Sequence, residues 1–254
     1  MNIIVKYDPY ARLGNRIFQY SYAYLLAEKL KRKLYDNEGI PNLGINPNHI
    51  NQCNNPLSLR AMGNHYVNND IIKSHSGDII VDSFLQKSEY YENYRDKLRS
   101  VFQIKLDDFI NEDSLVVHVR DTDYVSLGHS LGYEFYKKMI DASGFTKVIL
   151  VTDNSKGNTV QQLLNDGCVL CGNEYQTTFS TVCDSRGMKD FKILLYSANI
   201  AISQSTFSWW PAFLGYHKKI IFPYSNNGGM WPVNPSKDSI DLYFDLGQSE
   251  KFIL

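Results

Sequence analysis

The chain has 254 residues, 43% of them apolar, with 26 basic against 27 acidic side chains and a formal net charge of −1. That is enough apolar material for one large core or two small ones, but a balance so close to neutral gives no general field to attract nucleic acid or anionic lipid. Any anion must therefore be held by local geometry. No stretch approaches the roughly 20 apolar residues that cross a bilayer, and "MNIIVKYDPY" lacks the zones of a signal peptide. The sequence reads as a soluble, cytoplasmic protein with no transmembrane segment and no nucleic-acid partner.

In chain order, "NIIVKY" is expected to form a short buried strand, followed by the turn "DPYARLGN" and a long helix over "RIFQYSYAYLLAEKLKRK". Residues 34 to 71 are rich in Asn, Gly and Pro, and read as loops over one rim. "DIIVDSFL" reads as a strand, and "SEYYENYRDKLRSVFQI" as an amphipathic helix with a serine cap. Beyond about residue 105 the alternation is clearer. Strands "LVVHV", "KVILVTD", "NIAIS" and "KKIIFP" are separated by helices "YEFYKKMIDA", "NTVQQLLND" (its first residue as N-cap), "MKDFKILLYSA" and "TFSWWPAFLGY". Such spacing implies βαβ crossovers and parallel sheets with both faces covered. We expect an α/β protein of two halves, residues 1–105 and 106–254, with the chain ends close to the first half.

Open parallel sheets bind ligands beyond the carboxyl ends of their strands, and three polar clusters fall at such places: "YDPYARLGN", "HVRDTDY" and "SQSTFS". Arg120 can grip two phosphate oxygens and stays charged, although an ion-paired arginine would look the same in sequence. Ser203, Ser205 and Thr206 precede a helix and offer hydroxyls and free N–H groups to an anion, or serve as ordinary N-caps. Both sites in one βαβ half point to a nucleotide pyrophosphate. His118 and Asp190 can bond a base edge, or be a satisfied core histidine and a helix-start carboxylate. Asp123 can position Arg120, contact the sugar or act as a base.

Asp121-Thr122-Asp123 spells the D-x-D of metal-dependent sugar transferases, but the adjacent Arg120 already supplies positive charge. "ARLGN" adds Arg12, Gly14 and Asn15 at a helix start. Four cysteines, at 53, 168, 171 and 183, include one C-x-x-C without clear further zinc ligands, and read as reduced thiols. The fingerprints of dinucleotide oxidoreductases, P-loop ATPases, α/β-hydrolases and zincins do not occur.

Together the clusters resemble the α1,2-fucosyltransferases of glycosyltransferase family 11, within the larger set of GDP-fucose-dependent fucosyltransferases. "ARLGNRIFQYSYAYLLA" is similar to that family's opening G-R-L-G-N-Q-x-F-Q-Y-A. "VDSFLQKSEYYENYRDKLRSVF" resembles its G-[YF]-x-Q-S-x-x-Y-F segment running into I-R-x-x-F. "VVHVRDTDYV" resembles H-V-R-R-G-D-Y, and "MKDFKILLYSANIAISQSTFSWWPAFLG" its D-[LM]-x-L-M-S-x-C…I-I-x-N-S-[ST]-F-S-W-W-x-A-W-L. The resemblance implies a GT-B-like fold of two Rossmann-type halves facing a cleft, the first on the acceptor side and the second binding the donor. It implies an inverting glycosyltransferase of the galactoside 2-α-L-fucosyltransferase type, with a GDP-fucose donor, a glycan acceptor and no obligatory metal or other cofactor.

Carried residue by residue, the resemblance puts His118 on the guanine side, Arg120 on the β-phosphate, and Asp123 in support of that pocket. It makes Asp190 a donor-site residue, lines the diphosphate with Ser205 and Thr206, and brings Arg12 and Asn15 in from the first half. Arg120, Asp123 and Asn15 form the expected catalytic set. Asp8, Glu89, Asp123 and His129 are candidate bases. The sequence departs from the motif at Asp121, where the family has a second arginine, at Thr122, where it has glycine, and at Arg16, where it has glutamine. Another GDP-6-deoxyhexose, a D-x-D metal enzyme and a non-catalytic nucleotide- or carbohydrate-binding protein remain the alternatives.

Overall fold

A computed structural model of the chain describes residues 1–105, 112–126, 128, 130–171, 185–224 and 238–253. It divides into two compact units: Met1–Ile104 with Asn234–Leu242, and Lys105–Val233 with Tyr243–Leu254. Both are α/β with parallel sheets.

In the first unit the elements are β1 (Asn2–Val5), α1 (Leu13–Leu30), β2 (Lys33–Asp36), β3 (Leu57–Ser58), α2 (Asn69–Ser74), β4 (Ile79–Val81) and α3 (Arg95–Val101). The sheet order is β2-β1-β4-β3, and every pairing is parallel. From β1 the chain moves outward to β2, crosses to the opposite edge for β3, and steps back in to β4 beside β1. Helix α1 buries Leu13, Ile17, Phe18, Ala23 and Leu26, so its apolar side chains embed it against the sheet.

The second unit contains β5 (Leu115–Val119), α4 (Asp123–Ser126), α5 (Gly132–Ser143), β6 (Val148–Thr152), α6 (Asn158–Asn165), β7 (Val169–Leu170), α7 (Ser185–Tyr196), β8 (Asn199–Ala201), α8 (Thr206–Leu214), β9 (Lys219–Tyr224) and β10 (Ser249–Ile253). The order β10-β9-β8-β5-β6-β7 is again parallel throughout. The period-2 alternation of β5 sends Leu115, Val117 and Val119 into a core with Phe135, Met139, Val160 and Leu163, under α5 and α6. Val116 goes to the opposite face with Leu194 of α7. His118 shares the parity of Val116.

Several expectations need correction. Residues 34 to 71 hold two strands, β2 and β3, besides their loops. The segment after Ser88 opens with two 3₁₀ turns, and Ser88 lies inside the first instead of capping a long helix. The N-cap of α6 is Gly157, with Asn158 its first helical residue. The C-terminal strand β10 pairs with β9 in the second sheet, so that end of the chain belongs to the second unit.

Candidate functional site

In the second sheet, successive strands run from β5 to β7 in one direction and from β8 to β10 in the other. Loops leaving β5 and β8 diverge to opposite faces, which opens a crevice beyond their carboxyl ends. Register pairs Val117 with Ala201 across β5 and β8, and Val119 with Thr152 across β5 and β6. The residues just beyond, Arg120, Asp153 and the 202–205 turn, are thereby gathered at one edge.

His118 is 2% exposed and its Nδ1 lies 2.7 Å from the Ser203 hydroxyl. Its ring faces Phe207 at 5.6 Å. Burial holds the imidazole well below its ordinary pKa, opposed by the nearby Asp153 carboxylate. The ring is therefore neutral at pH 7, able to donate from one nitrogen and accept at the other.

Arg120 is the hub. Its Nη2 donates to Asp123 Oδ1 at 2.8 Å, and its Nη1 lies 2.6 Å from Asp153 Oδ2. Its guanidinium sits 5.3 Å from the centre of the Tyr124 ring. Nε is buried with no hydrogen-bond partner among the described residues. Asp153, which the sequence reading passed over, organises this edge: it also accepts from the Thr122 hydroxyl at 2.7 Å and from the Asp121 N–H at 3.5 Å. A signal for it existed, since Asp153 follows β6 as Arg120 follows β5, and paired parallel strands bring such tips together.

Ser205 is the N-cap of α8, its hydroxyl accepting from Phe207 N–H at 3.3 Å. Thr206 is the first residue of the helix. The Tyr124 hydroxyl bonds Ser205, and burial pushes the phenol pKa up to about 12, with Arg120 opposing. Arg120 and the start of α8 thus share Tyr124 as a neighbour. Helix α8 is buried almost throughout, with Trp209 stacked on Phe213 at 4.8 Å and edge-on to Phe244 at 5.5 Å. This aromatic packing fixes the direction in which its N-terminus, the positive end of the helix dipole, points.

The two carboxylates of D-x-D do not converge. Asp121 is 5% exposed and accepts from Ser130 at 3.2 Å and Thr159 at 3.3 Å, whereas Asp123 faces Arg120 and the Thr122 hydroxyl. Asp190 lies on α7, half-buried, close enough to Cys171 for its charge to raise that thiol's pKa beyond the larger effect of burial. Cys53, Cys168 and Cys171 are free thiols, and Cys183 lies outside the described residues. Among the described residues there is no group of three or more potential metal ligands, and no helix long and apolar enough to cross a membrane.

Arg12 and Asn15 belong to the first unit. Arg12 occupies the N-cap position of α1 without a side-chain cap bond, and Asn15 Oδ1 accepts from Gln86 Nε2 at 2.9 Å. The departing residue Arg16 pairs with Glu38 at 2.9 Å and lies 4.7 Å from the centre of the Tyr7 ring. Of the candidate bases, Asp8 is bound to Arg60, Glu89 is exposed on a 3₁₀ turn, Asp123 is bound to Arg120, and His129 lies outside the described residues.

No protein-family model matches the chain, and no curated protein matches it. Among solved structures it is similar to NodZ α-1,6-fucosyltransferase soaked with GDP-fucose, at 12% identity and a TM-score of 0.47 over 86% of this chain and 94% of that one. The same enzyme co-crystallised with GDP gives 12% and 0.47 over 86% and 93%. A selenomethionine form of NodZ from Bradyrhizobium gives 11% and 0.46, with the same coverage. Likeness at that level assigns neither activity nor linkage to this chain.

Proposed function

We propose that the chain is an inverting glycosyltransferase. In this reading it moves fucose, or a related 6-deoxyhexose, from a GDP-sugar to a hydroxyl of a glycan acceptor, forming an α1,2 linkage without an obligatory metal. The observation that carries the reading is that Arg120 and the capped start of α8 share Tyr124 as a neighbour beside the reversal point between β5 and β8. A guanidinium and a helix N-terminus in one place suit a leaving diphosphate.

The acceptor hydroxyl attacks the anomeric carbon as the bond to the β-phosphate oxygen breaks; the hydroxyl proton passes to water, and negative charge grows on GDP. Arg120, with its buried Nε–H, and the first N–H groups of α8 stabilise that charge, each well-placed donor contributing on the order of 3 kcal/mol. To reach phosphate, Arg120 exchanges one carboxylate for it. Asp123, at 35% exposure against 23% for Asp153, is the one that yields. Neutral His118 contributes a hydrogen bond to the nucleoside, and Asp190 a carboxylate on the same side.

Thermal stabilisation by GDP, GDP-fucose and GDP-mannose tests the donor class. A ligand at about 100 times its Kd adds about 2.7 kcal/mol to the folded state. Arg120→Lys keeps the charge and removes the fork, and is expected to abolish most of the shift. No shift with any GDP compound, or a full shift in Arg120→Lys, overturns the reading. GDP binding without GDP release in any donor and acceptor mixture favours a nucleotide-binding protein without turnover. Activity lost in EDTA and restored by Mn²⁺ favours the D-x-D reading, which requires Asp121 and Asp123 to leave their present partners.

A further inference from the structure

In the first unit β1 and β4 are parallel neighbours, and the loops leaving their carboxyl ends carry Asp8 and Asp82. Arg60, just past β3, ties the two together. Its Nη1 and Nη2 each donate to Asp8 Oδ2 at 3.2 Å, while Nε and Nη2 donate to the Asp82 carbonyl at 3.1 and 2.7 Å. The Asp82 carboxylate accepts from Ser58 Oγ at 2.6 Å and from Arg60 N–H at 2.9 Å, and Asp8 Oδ1 accepts from Tyr10 N–H at 2.9 Å.

Each carboxylate is thus oriented by the protein yet has acceptor capacity left, because a carboxylate takes about four hydrogen bonds. Arg60 remains 43% exposed. Beside this polar fork stands an aromatic wall: Phe84 lies 5.6 Å from the Arg60 guanidinium and stacks at 6.4 Å on His65. His65 is itself held by Gln86 N–H donating to Nδ1 at 3.2 Å and by its own N–H on Asp238 at 2.6 Å.

Fixed acceptors, an exposed planar donor and a half-buried ring are what a sugar needs, with hydroxyls on one side and a C–H face on the other. Two carboxylates against one guanidinium leave the fork net negative, which disfavours an anionic ligand. We propose that Asp8, Arg60, Asp82 and Phe84 form a subsite for a neutral saccharide beyond the carboxyl ends of β1 and β4 in the first unit. The choice of saccharide class rests on the glycosyltransferase reading; the location rests on the geometry.

The test is saturation-transfer NMR on the full chain with lactose, N,N′-diacetylchitobiose and the anionic 3′-sialyllactose, in parallel with GDP thermal shifts on the same samples. At least one neutral disaccharide is expected to bind. Phe84→Ala and Arg60→Ala should each weaken it at least about fivefold, a difference of about 1 kcal/mol. Phe84→Leu, which keeps apolar volume but loses the ring, should weaken it likewise, and the GDP shift should stay at the wild-type value in all three. The subsite is wrong if no neutral disaccharide binds, if sialyllactose binds best, or if the variants bind sugar as wild type does. A missing GDP shift in the wild type is a separate result, and counts against the transferase reading.

Discussion

Replacing Asp153 by Asn asks whether Arg120 is held or merely neighboured. The pair is close, at 2.6 Å, and the arginine side chain is 12% exposed. Breaking a buried pair costs about 3–5 kcal/mol because one charge is left uncompensated. Here Asp153 keeps some contact with water and Asp123 still pairs with the guanidinium, so the expected loss is about 2 kcal/mol. Asn retains an oxygen for the Thr122 hydroxyl, which isolates the loss of charge. For a chain of this size that corresponds to a fall in Tm of about 4–8 °C. Arg120→Met, made alone and with Asp153→Asn, closes a double-mutant cycle, and the double variant should be more stable than the sum of the singles by about 1–2 kcal/mol. A melting temperature within about 1 °C of wild type, or strict additivity, refutes Asp153 as the residue that positions Arg120.

The buried, neutral His118 makes stability depend on pH. Its folded pKa lies below the unfolded value, so the unfolded chain binds the extra proton as pH falls from about 6.5 toward the folded pKa, and stability drops across that window. His118→Gln should flatten the dependence in a pH series of melts; an unchanged slope contradicts the assignment. Ser205→Ala removes the α8 cap and is expected to cost about 1 kcal/mol and most of the GDP shift, whereas loss of stability with the shift intact would detach α8 from the ligand. Gly157 has φ −60°, a conformation any residue adopts, so Ala would ordinarily be neutral or slightly stabilising there. A Cβ at that position overlaps the Asp121 carboxylate, and Gly157→Ala should cost about 1–3 kcal/mol, with Asp121→Ala relieving the overlap in the double variant, as read by thermal melts.

The elements legible in sequence are those that carry their own signal. β5 and β6 are mainly apolar runs buried on both faces, and α1 is too long and too apolar to be anything but a buried helix. The missed strands lack such a run. β2 is "KLYD", β3 and β7 are two residues each, and β10 is "SEKFI"; each is a strand because a neighbour offers it hydrogen bonds, which is a property of the pairing and not of the segment. All four are edges of their sheets, where one partner suffices. The α6 cap was misplaced by one residue for a local reason: Asp121 packs against Gly157, where a side chain would collide. At the candidate site, His118, Arg120, Ser203 and Ser205 could be read because polar residues at the end of an apolar run have to be facing something. Asp153 stood at an equivalent place and lacked a motif to draw attention to it.

Asp121 bears most directly on the donor. The resembled motif has a second arginine there, and a carboxylate in its place suggests lost positive charge at the diphosphate. The contacts say otherwise. Arg120 follows the parity of His118 toward the α7–α8 side, where it meets Tyr124, itself bonded to Ser205. Asp121 turns the other way, to Thr159 of α6 and to Ser130, and its buried carboxylate ties the Ser130 loop to the start of α6. The substitution therefore removes a cation without placing an anion beside Arg120. If the proposed function holds, Arg120 and the start of α8 carry the positive charge on this side of the donor, and affinity for GDP should depend on Arg120 and Ser205 far more steeply than on Asp121.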